Sequence, residues 1–250
     1  MDFATALRQR RTAGRVSQLE LAIKAGTTQR HLSFIESGRS APGRGMVIRL
    51  AESLGLPLRE RNELLLTAGY APAYPETPLD SADLAPVMAA LTHIIDAHMP
   101  YPAIIIDRYG EIIAANAAQQ ILAENAARHV RSNAYRLALH PEGMAPRIGN
   151  FPEWARHVVN NIGAALARNP DDRLAALHAE LSSYVPPARP ATDHLGFAVP
   201  LQLSTSRGEL RLMTTITSFA TAVDVTISEL RLEAFLPADP ETAAALTRQS

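Results

Sequence analysis

The chain contains no cysteine. Disulfides, thiol catalysis, iron–sulfur clusters and cysteine-ligated zinc are therefore excluded. Lysine is almost missing too: of 24 basic residues only Lys24 is lysine, a skew that genome base composition can produce and that carries no binding signal. Long apolar runs are absent. No stretch approaches the roughly 18–20 residues that span a bilayer. The N-terminus passes from Met1-Asp2-Phe3 into an Arg-rich segment without an apolar signal region. These absences predict a soluble cytoplasmic protein with no membrane partner. What is present is a chain of 250 residues, 47% hydrophobic and 20% charged, which can bury a packed core. At about 100–200 residues per domain this is one large domain or two small ones.

The net charge of −1 hides an asymmetry. Residues 1–72 carry eleven Lys and Arg against six Asp and Glu, a net of +5, while the remainder has thirteen against nineteen, a net of −6. A basic N-terminal segment on an acidic body points to a polyanion partner for the first segment. The chain divides at Gly69-Tyr70-Ala71-Pro72-Ala73-Tyr74-Pro75-Glu76-Thr77-Pro78. Three prolines at three-residue spacing disfavour helix and predict an extended linker over 70–82. The expected organisation is a helical domain over 1–69, this linker, a mixed domain over 83–240 and a tail over 241–250. A second proline cluster, Pro186 to Pro190, predicts a long loop inside the second domain.

Five helices are predicted before the linker. The first runs over about Phe3–Thr12 and ends at Ala13-Gly14. Ser17-Gln18-Leu19-Glu20 reads as a capping box opening a second helix to Lys24. Gly26 supplies a tight turn, and Thr28 caps a third helix over Gln29–Ser37 with Leu32 and Ile35 inward. Met46–Leu54 and Pro57–Ala68 complete the set. Two short helices joined by a Gly-containing turn in a basic helical domain make a helix-turn-helix. The start of the third helix, Thr28-Gln29-Arg30-His31 with Ser33 and Phe34 one turn on, would enter the major groove. Gln suits adenine edges and Arg suits guanine edges. Ser17 and Gln18 sit where a helix N-terminus can hold a phosphate, and Arg39 and Arg44 add loop contacts.

These residues resemble the XRE/Cro helix-turn-helix of phage repressors. The likeness runs from Ser17 to Arg30 and extends through Ile35-Glu36-Ser37-Gly38-Arg39. The resemblance implies a phosphate contact for Gln18, base contacts for Gln29 and Arg30, and a partly buried salt bridge between Arg11 and Glu36. Phe34 departs from the pattern, where a polar base reader is common; it either touches a thymine methyl or simply packs.

Beyond the linker, an amphipathic helix is predicted over 85–98 with Val87, Leu91, Ile94 and Ile95 inward. Strands follow at Ala103–Asp107 and Glu111–Ala115, then an Asn116-capped helix over about Ala117–Ala127. Helices near Phe151–Ala167 and Asp171–Ser183 precede strands near Phe197–Leu203, Glu209–Thr217 and Val223–Glu233. This order predicts an α+β domain, an antiparallel sheet of about five strands with helices on one face. It resembles the PAS fold through Asp107-Arg108-Tyr109-Gly110-Glu111 to Asn116. Four segments together resemble the MmyB-like ligand-binding domain: Pro100 to Ala103, His140 to Gly143, Asn150 to His157, and Phe235 to Asp239. That resemblance implies a bacterial, nucleoid-associated transcriptional regulator whose second domain binds a small, largely hydrophobic, fatty-acid-like ligand.

The ligand-lining candidates are Tyr101, Arg147, Phe151, Trp154 and His157. Trp154, the only tryptophan, reads as core or as ligand wall, and one of Arg147, Arg156 and His157 is a candidate anchor for a carboxylate head group. No histidine pair has the spacing of a helical zinc site, and no nucleophile elbow, Walker loop or dinucleotide fingerprint occurs. Asp171-Asp172 reads as helix N-terminal charge. No metal, no cofactor and no catalytic residue is therefore expected. The resulting expectation is a non-enzymatic, ligand-modulated regulator binding a double-stranded operator as a homodimer, since one helix-turn-helix reads only a half-site. Two other readings stay open: a DNA-binding protein whose second domain only dimerises, and a small-molecule enzyme fused to a helix-turn-helix.

Overall fold

A computed structural model of the chain describes residues 2–186, 199–219 and 222–247. Residues 187–190 of the expected proline loop, His194 and the start of the strand expected at Phe197 lie outside the described residues. The chain forms two compact units, one of residues 1–81 with 220–228, the other of residues 82–219 with 229–250.

The first unit holds α1 (Phe3–Ala13), α2 (Gln18–Lys24), α3 (Gln29–Glu36), α4 (Arg44–Ser53) and α5 (Leu58–Thr67). Each of the first three starts on a side chain that accepts a backbone N–H otherwise left unpaired. Asp2 accepts from Thr5, Ser17 from Glu20 and Thr28 from His31. The capping box is only half realised: the Glu20 carboxylate turns to Lys24 at 2.8 Å. Gly26 and Gly38 close α2 and α3 with φ of 63° and 72°, a left-handed turn that glycine adopts without a Cβ clash. The apolar stripes meet in one core of Leu7, Leu21, Leu32, Ile35, Leu50, Leu64 and Leu65, all essentially without exposure.

The proline segment after α5 stays attached to this unit. Asn62 accepts from the backbone N–H groups of Ala73 and Tyr74 and donates to the Tyr74 carbonyl, replacing the ladder an extended chain lacks. The expected strand at Val223–Glu233 is corrected. Its first half is the helical turn α10 (Val225–Glu229), because Asp224 accepts from Ile227 and Thr77, and only the second half enters a strand. The β-branched run Val223–Ile227 mimicked a strand; the Asp224 cap decided otherwise.

The second unit is built on an antiparallel five-stranded sheet among the described residues, ordered β2-β1-β5-β4-β3. The strands are β1 (Ala103–Ile106), β2 (Ile112–Ala115), β3 (Leu201–Thr205), β4 (Gly208–Ser218) and β5 (Arg231–Pro237). One face carries Ile104, Ile106, Leu201, Leu203, Leu210, Leu212 and Phe235 into a core with α7 (Ala134–Leu139), α8 (Phe151–Arg168) and α9 (Asp172–Ser183). Strand alternation turns the fully buried Ile105 to the other face, beside α6 (Ala85–Asp96). Helices thus flank both faces rather than one. In α6 only Leu91 and Ile95 point inward; Val87 and Ile94 are exposed, because the helix meets the sheet along a narrow strip.

Two further expectations change. The stretch after Asn116 is a short 3-10 turn, Ala117–Ile121, not a long helix. Asn116 does not cap it: its carbonyl accepts from Ala103 N–H, and its amide donates to the Ile95 and Tyr101 carbonyls. Residues from 240 onward form helix α11 (Pro240–Thr247), started by Asp239, whose Ala245 and Leu246 join the core instead of trailing as a tail. Among the described residues no helix is long and apolar enough to cross a membrane.

Candidate functional site

In the first unit, α3 is held from behind and open in front. Its last residue, Glu36, is 1% exposed. The Arg11 guanidinium grips it in a fork, Nε to Oε1 at 2.6 Å and Nη2 to Oε2 at 2.9 Å, and also donates to the Val16 carbonyl. Gln18 donates to Glu36 Oε2 at 2.7 Å, and Arg8 donates to the Glu36 carbonyl. One carboxylate therefore ties α1, α2 and α3 together. Burial works to raise the Glu36 pKa, but the hydrogen bonds from Arg11 and Gln18 and the nearby positive charges outweigh it and hold the carboxyl below its ordinary value. This contribution to stability is present above the unfolded value of about 4.3 and is lost as pH falls through the lower folded value.

The front of α3 presents Thr28, Gln29 and Arg30 exposed, with His31, Ser33 and Phe34 half-buried. His31 Nδ1 lies 2.9 Å from the Thr27 hydroxyl, which fixes its ring. The Arg30 guanidinium stands 5.5 Å from the centroid of the Phe34 ring, one helical turn on. Phe34 thus packs under Arg30 and orients it. Ser17 is engaged as a cap, and Gln18 spends one amide hydrogen on Glu36, leaving the second. Arg39 and Arg44 are exposed on the loop after α3 and at the start of α4.

The second unit encloses a cavity of about 240 Å³ between the sheet and helices α7, α8 and α9. Beyond Leu201–Leu212, the last described β3–β4 pair, Thr214 and Ile216 of β4 line it on the same side as the core leucines. Most of the wall is apolar, including Ile104, Leu137, Met144, Trp154, Ile162 and Phe235. Polar groups converge at one side. Arg231 and Glu233 of β5 share the face of Phe235 and line the cavity with Tyr135 of α7 and Arg108. Arg108 is already neutralised by Asp171 at 3.1 Å and Glu229 at 3.2 Å. Burial pushes the Glu233 carboxyl up to about 7, with Arg231 drawing it down against that. Burial likewise pushes the Tyr135 hydroxyl up to about 12, the Glu233 charge adding to it.

Of the expected lining residues, Trp154 and His157 face this cavity, His157 at its exposed rim. Trp154 is both core and wall. The other three do not line it. Arg147 clamps the backbone carbonyls of Ile121, Leu122 and Ser204, a structural position. Phe151 and Tyr101 pack on the core from outside the cavity. Arg156 donates to the Pro186 carbonyl. Arg231 and Glu233 escaped the sequence reading. Their signal was the alternation Arg231-Leu232-Glu233-Ala234-Phe235, which places two charges on the face of a buried phenylalanine. The fold also gathers His129, His140 and Glu142, which chain spacing did not pair. His140 Nδ1 accepts the Glu142 N–H at 3.0 Å, so the hydrogen bond leaves the ring proton on the nitrogen a metal would need.

Residues 87–248, the greater part of the chain, match the family model described as MmyB-like transcription regulator ligand binding domain. The chain belongs to the MmyB-like transcription regulators. In this MmyB-like regulator, residues 7–61 match a helix-turn-helix family, the segment containing the Arg11–Glu36 clamp and α3. An uncharacterized HTH-type transcriptional regulator, y4dL, from Sinorhizobium fredii is 42% identical over 52 residues. That likeness covers 21% of this chain and 26% of the relative, so the two share about a quarter of the relative's length.

Proposed function

We propose that this MmyB-like regulator reads an operator half-site with α3 and adjusts its operator affinity through a small, largely hydrophobic ligand held in the sheet–helix cavity. The observation that carries the reading is that cavity: apolar walls and a few converging polar groups, in a chain that also bears an exposed, clamped α3. Gln29 and Arg30 are the base readers, with Arg30 held upright by Phe34. The second amide hydrogen of Gln18, together with Arg39 and Arg44, serves phosphates. One half-site per helix-turn-helix implies a homodimer on a two-fold operator. The ligand acts only as far as its affinity differs between DNA-competent and incompetent states.

The test starts from random duplexes, selected with the purified protein and titrated by fluorescence anisotropy. Arg30→Ala is expected to cost about 1–3 kcal/mol on the selected sequence and to relax preference at one base position. Arg44→Ala is expected to weaken all sequences alike and to reduce the salt slope by about one phosphate contact. If both Gln29→Ala and Arg30→Ala keep wild-type affinity and the same preferred sequence, α3 is not the reading element.

A further inference from the structure

β4 and β5 are consecutive strands that pair with each other as far as Ser218 and Arg231. A turn of about two to five residues would close such a hairpin. The connection instead runs through 219–230, and residues 220–228 of it belong to the first unit. The helical turn α10 thus begins in the first unit and ends, at Glu229, in the second. At its start, Val225 N–H donates to the Pro75 carbonyl at 2.8 Å, and one oxygen of the Asp224 carboxylate accepts the N–H and the hydroxyl of Thr77 at 3.1 and 2.7 Å. The other oxygen accepts from Ile227 N–H, so this one buried side chain both caps α10 and holds the linker. The linker is held again just upstream, by Asn62 and Arg59 of α5, through Ala73, Tyr74 and Glu76. At the other end of α10, Glu229 accepts from Arg108 at 3.2 Å, and Arg108 lines the cavity. The buried Leu230 then leads directly into β5, whose Arg231, Glu233 and Phe235 form part of the cavity wall.

We propose that α10 is the element that couples the cavity to the DNA-binding unit, with the Asp224–Thr77 clasp as its switch. The inference rests on the reading of the cavity as a ligand site. A ligand standing against Arg108 and β5 acts on the end of α10 that the second unit holds. From Asp224 to Phe235 the joint is continuous chain, so a shift of β5 is imposed on Asp224 directly. With the clasp closed, the linker is fixed to α10 and to α5 at once, and α5 contributes Leu64 and Leu65 to the core that carries Leu32 and Ile35 of α3. With the clasp open, Asp224 and Thr77 are hydrated and the linker follows α5 alone. Ligand and operator thus bias one two-state contact, which is what a coupling free energy requires. A clasp that is only an anchor would serve the ligand-bound and ligand-free chains alike.

The experiment measures operator affinity of the full chain by anisotropy, with and without saturating decanoate as a fatty-acid-like probe. Trp154, the only tryptophan, lines the cavity, so its fluorescence reads occupancy independently. In wild type, decanoate is expected to change operator affinity at least about fivefold, the lower end of common coupling strengths. Asp224→Ala is expected still to bind decanoate but to hold operator affinity constant within about twofold whether or not decanoate is present. Should that variant misfold, Thr77→Val removes only the hydroxyl and is expected to shrink the decanoate effect. Ala138 of α7 lines the cavity, so Ala138→Leu fills part of it without any ligand. It is expected to shift operator affinity by itself, and to do so less in combination with either clasp variant. A decanoate effect that survives undiminished in both clasp variants overturns α10 as the coupling element and leaves the ligand-site reading standing. Loss of operator binding by both variants, with and without decanoate, makes the clasp an anchor and overturns the proposal, as does decanoate binding to wild type without any change in operator affinity. Absence of decanoate binding counts against the ligand-site reading; the coupling proposal then falls if the effect of Ala138→Leu is nil or is unchanged by the clasp variants.

Discussion

Glu36→Ala should lower the stability of the helix-turn-helix by about 3–5 kcal/mol, the range for breaking a buried ion pair from one side. The carboxylate is buried and its partner mostly so: the Glu36 side chain is 1% exposed and that of Arg11 is 12%. Without the carboxylate, the Arg11 guanidinium keeps only the Val16 carbonyl, and the Gln18 amide loses its acceptor. The charge, not the lost contact area, dominates the cost, because a desolvated cation with one neutral acceptor is left behind. Two companions separate these contributions. Glu36→Gln keeps an acceptor for Arg11 and should lose less. The double variant Arg11→Met with Glu36→Leu removes both charges and should recover much of the loss, since an apolar pair of similar volume carries no desolvation penalty. Urea unfolding followed by far-ultraviolet circular dichroism checks this, with Trp154 fluorescence reporting the other unit separately. A Glu36→Ala variant within about 1 kcal/mol of wild type would mean that the pair is screened like a surface ion pair. Because Glu36 ends α3, the same variant should also weaken operator binding through a misaligned reading helix.

The helix-turn-helix was legible because its determinants are local. Ser17, Thr28, Gly26 and Gly38 are caps and turns whose chemistry acts within four residues, and the apolar spacing of α2 and α3 needs no distant partner. The Arg11–Glu36 clamp lies 25 residues apart and was reached by family likeness, not by periodicity. The family likeness likewise carried the second unit further than pattern did. Asn116 shows why pattern alone failed there. An asparagine before a helical stretch reads as a cap, but its side chain is claimed by Ala103, Ile95 and Tyr101, partners brought in by the sheet. The same holds for the cavity. Arg147 looked like an anchor because it precedes Phe151 and Trp154 in the chain, yet the fold commits it to three backbone carbonyls. The groups that do converge, Tyr135 with Arg231 and Glu233, are about a hundred residues apart and meet only when β5 slots between β1 and β4.

Glu233→Gln should stabilise the second unit by up to about 3 kcal/mol at pH 8 and change little at pH 4. The carboxyl is pushed up to about 7 in the folded chain and titrates near 4.3 when unfolded. A folded value raised above the unfolded one means stability that is fully present below about pH 4.3 and lost as pH rises through about 7. The cause is desolvation beside Ile104 and Phe235, which Arg231 only partly offsets; the other polar groups lining the space, Arg108, Gln119, Tyr135, His157, Asn161 and Thr214, come from the β1–β2 turn, the 3-10 turn after β2, α7, α8 and β4. Other carboxyls titrate too. Glu36, Asp171 and Glu180 are held low, and their contributions are lost at acid pH in the opposite sense, while burial holds Asp107 high. The difference between variant and wild type cancels these and isolates position 233. Urea midpoints measured by Trp154 fluorescence from pH 4 to 8 should diverge between about pH 4.3 and 8, with the glutamine variant on top. Parallel curves would mean that the carboxyl is hydrated in the folded chain and ionises without cost.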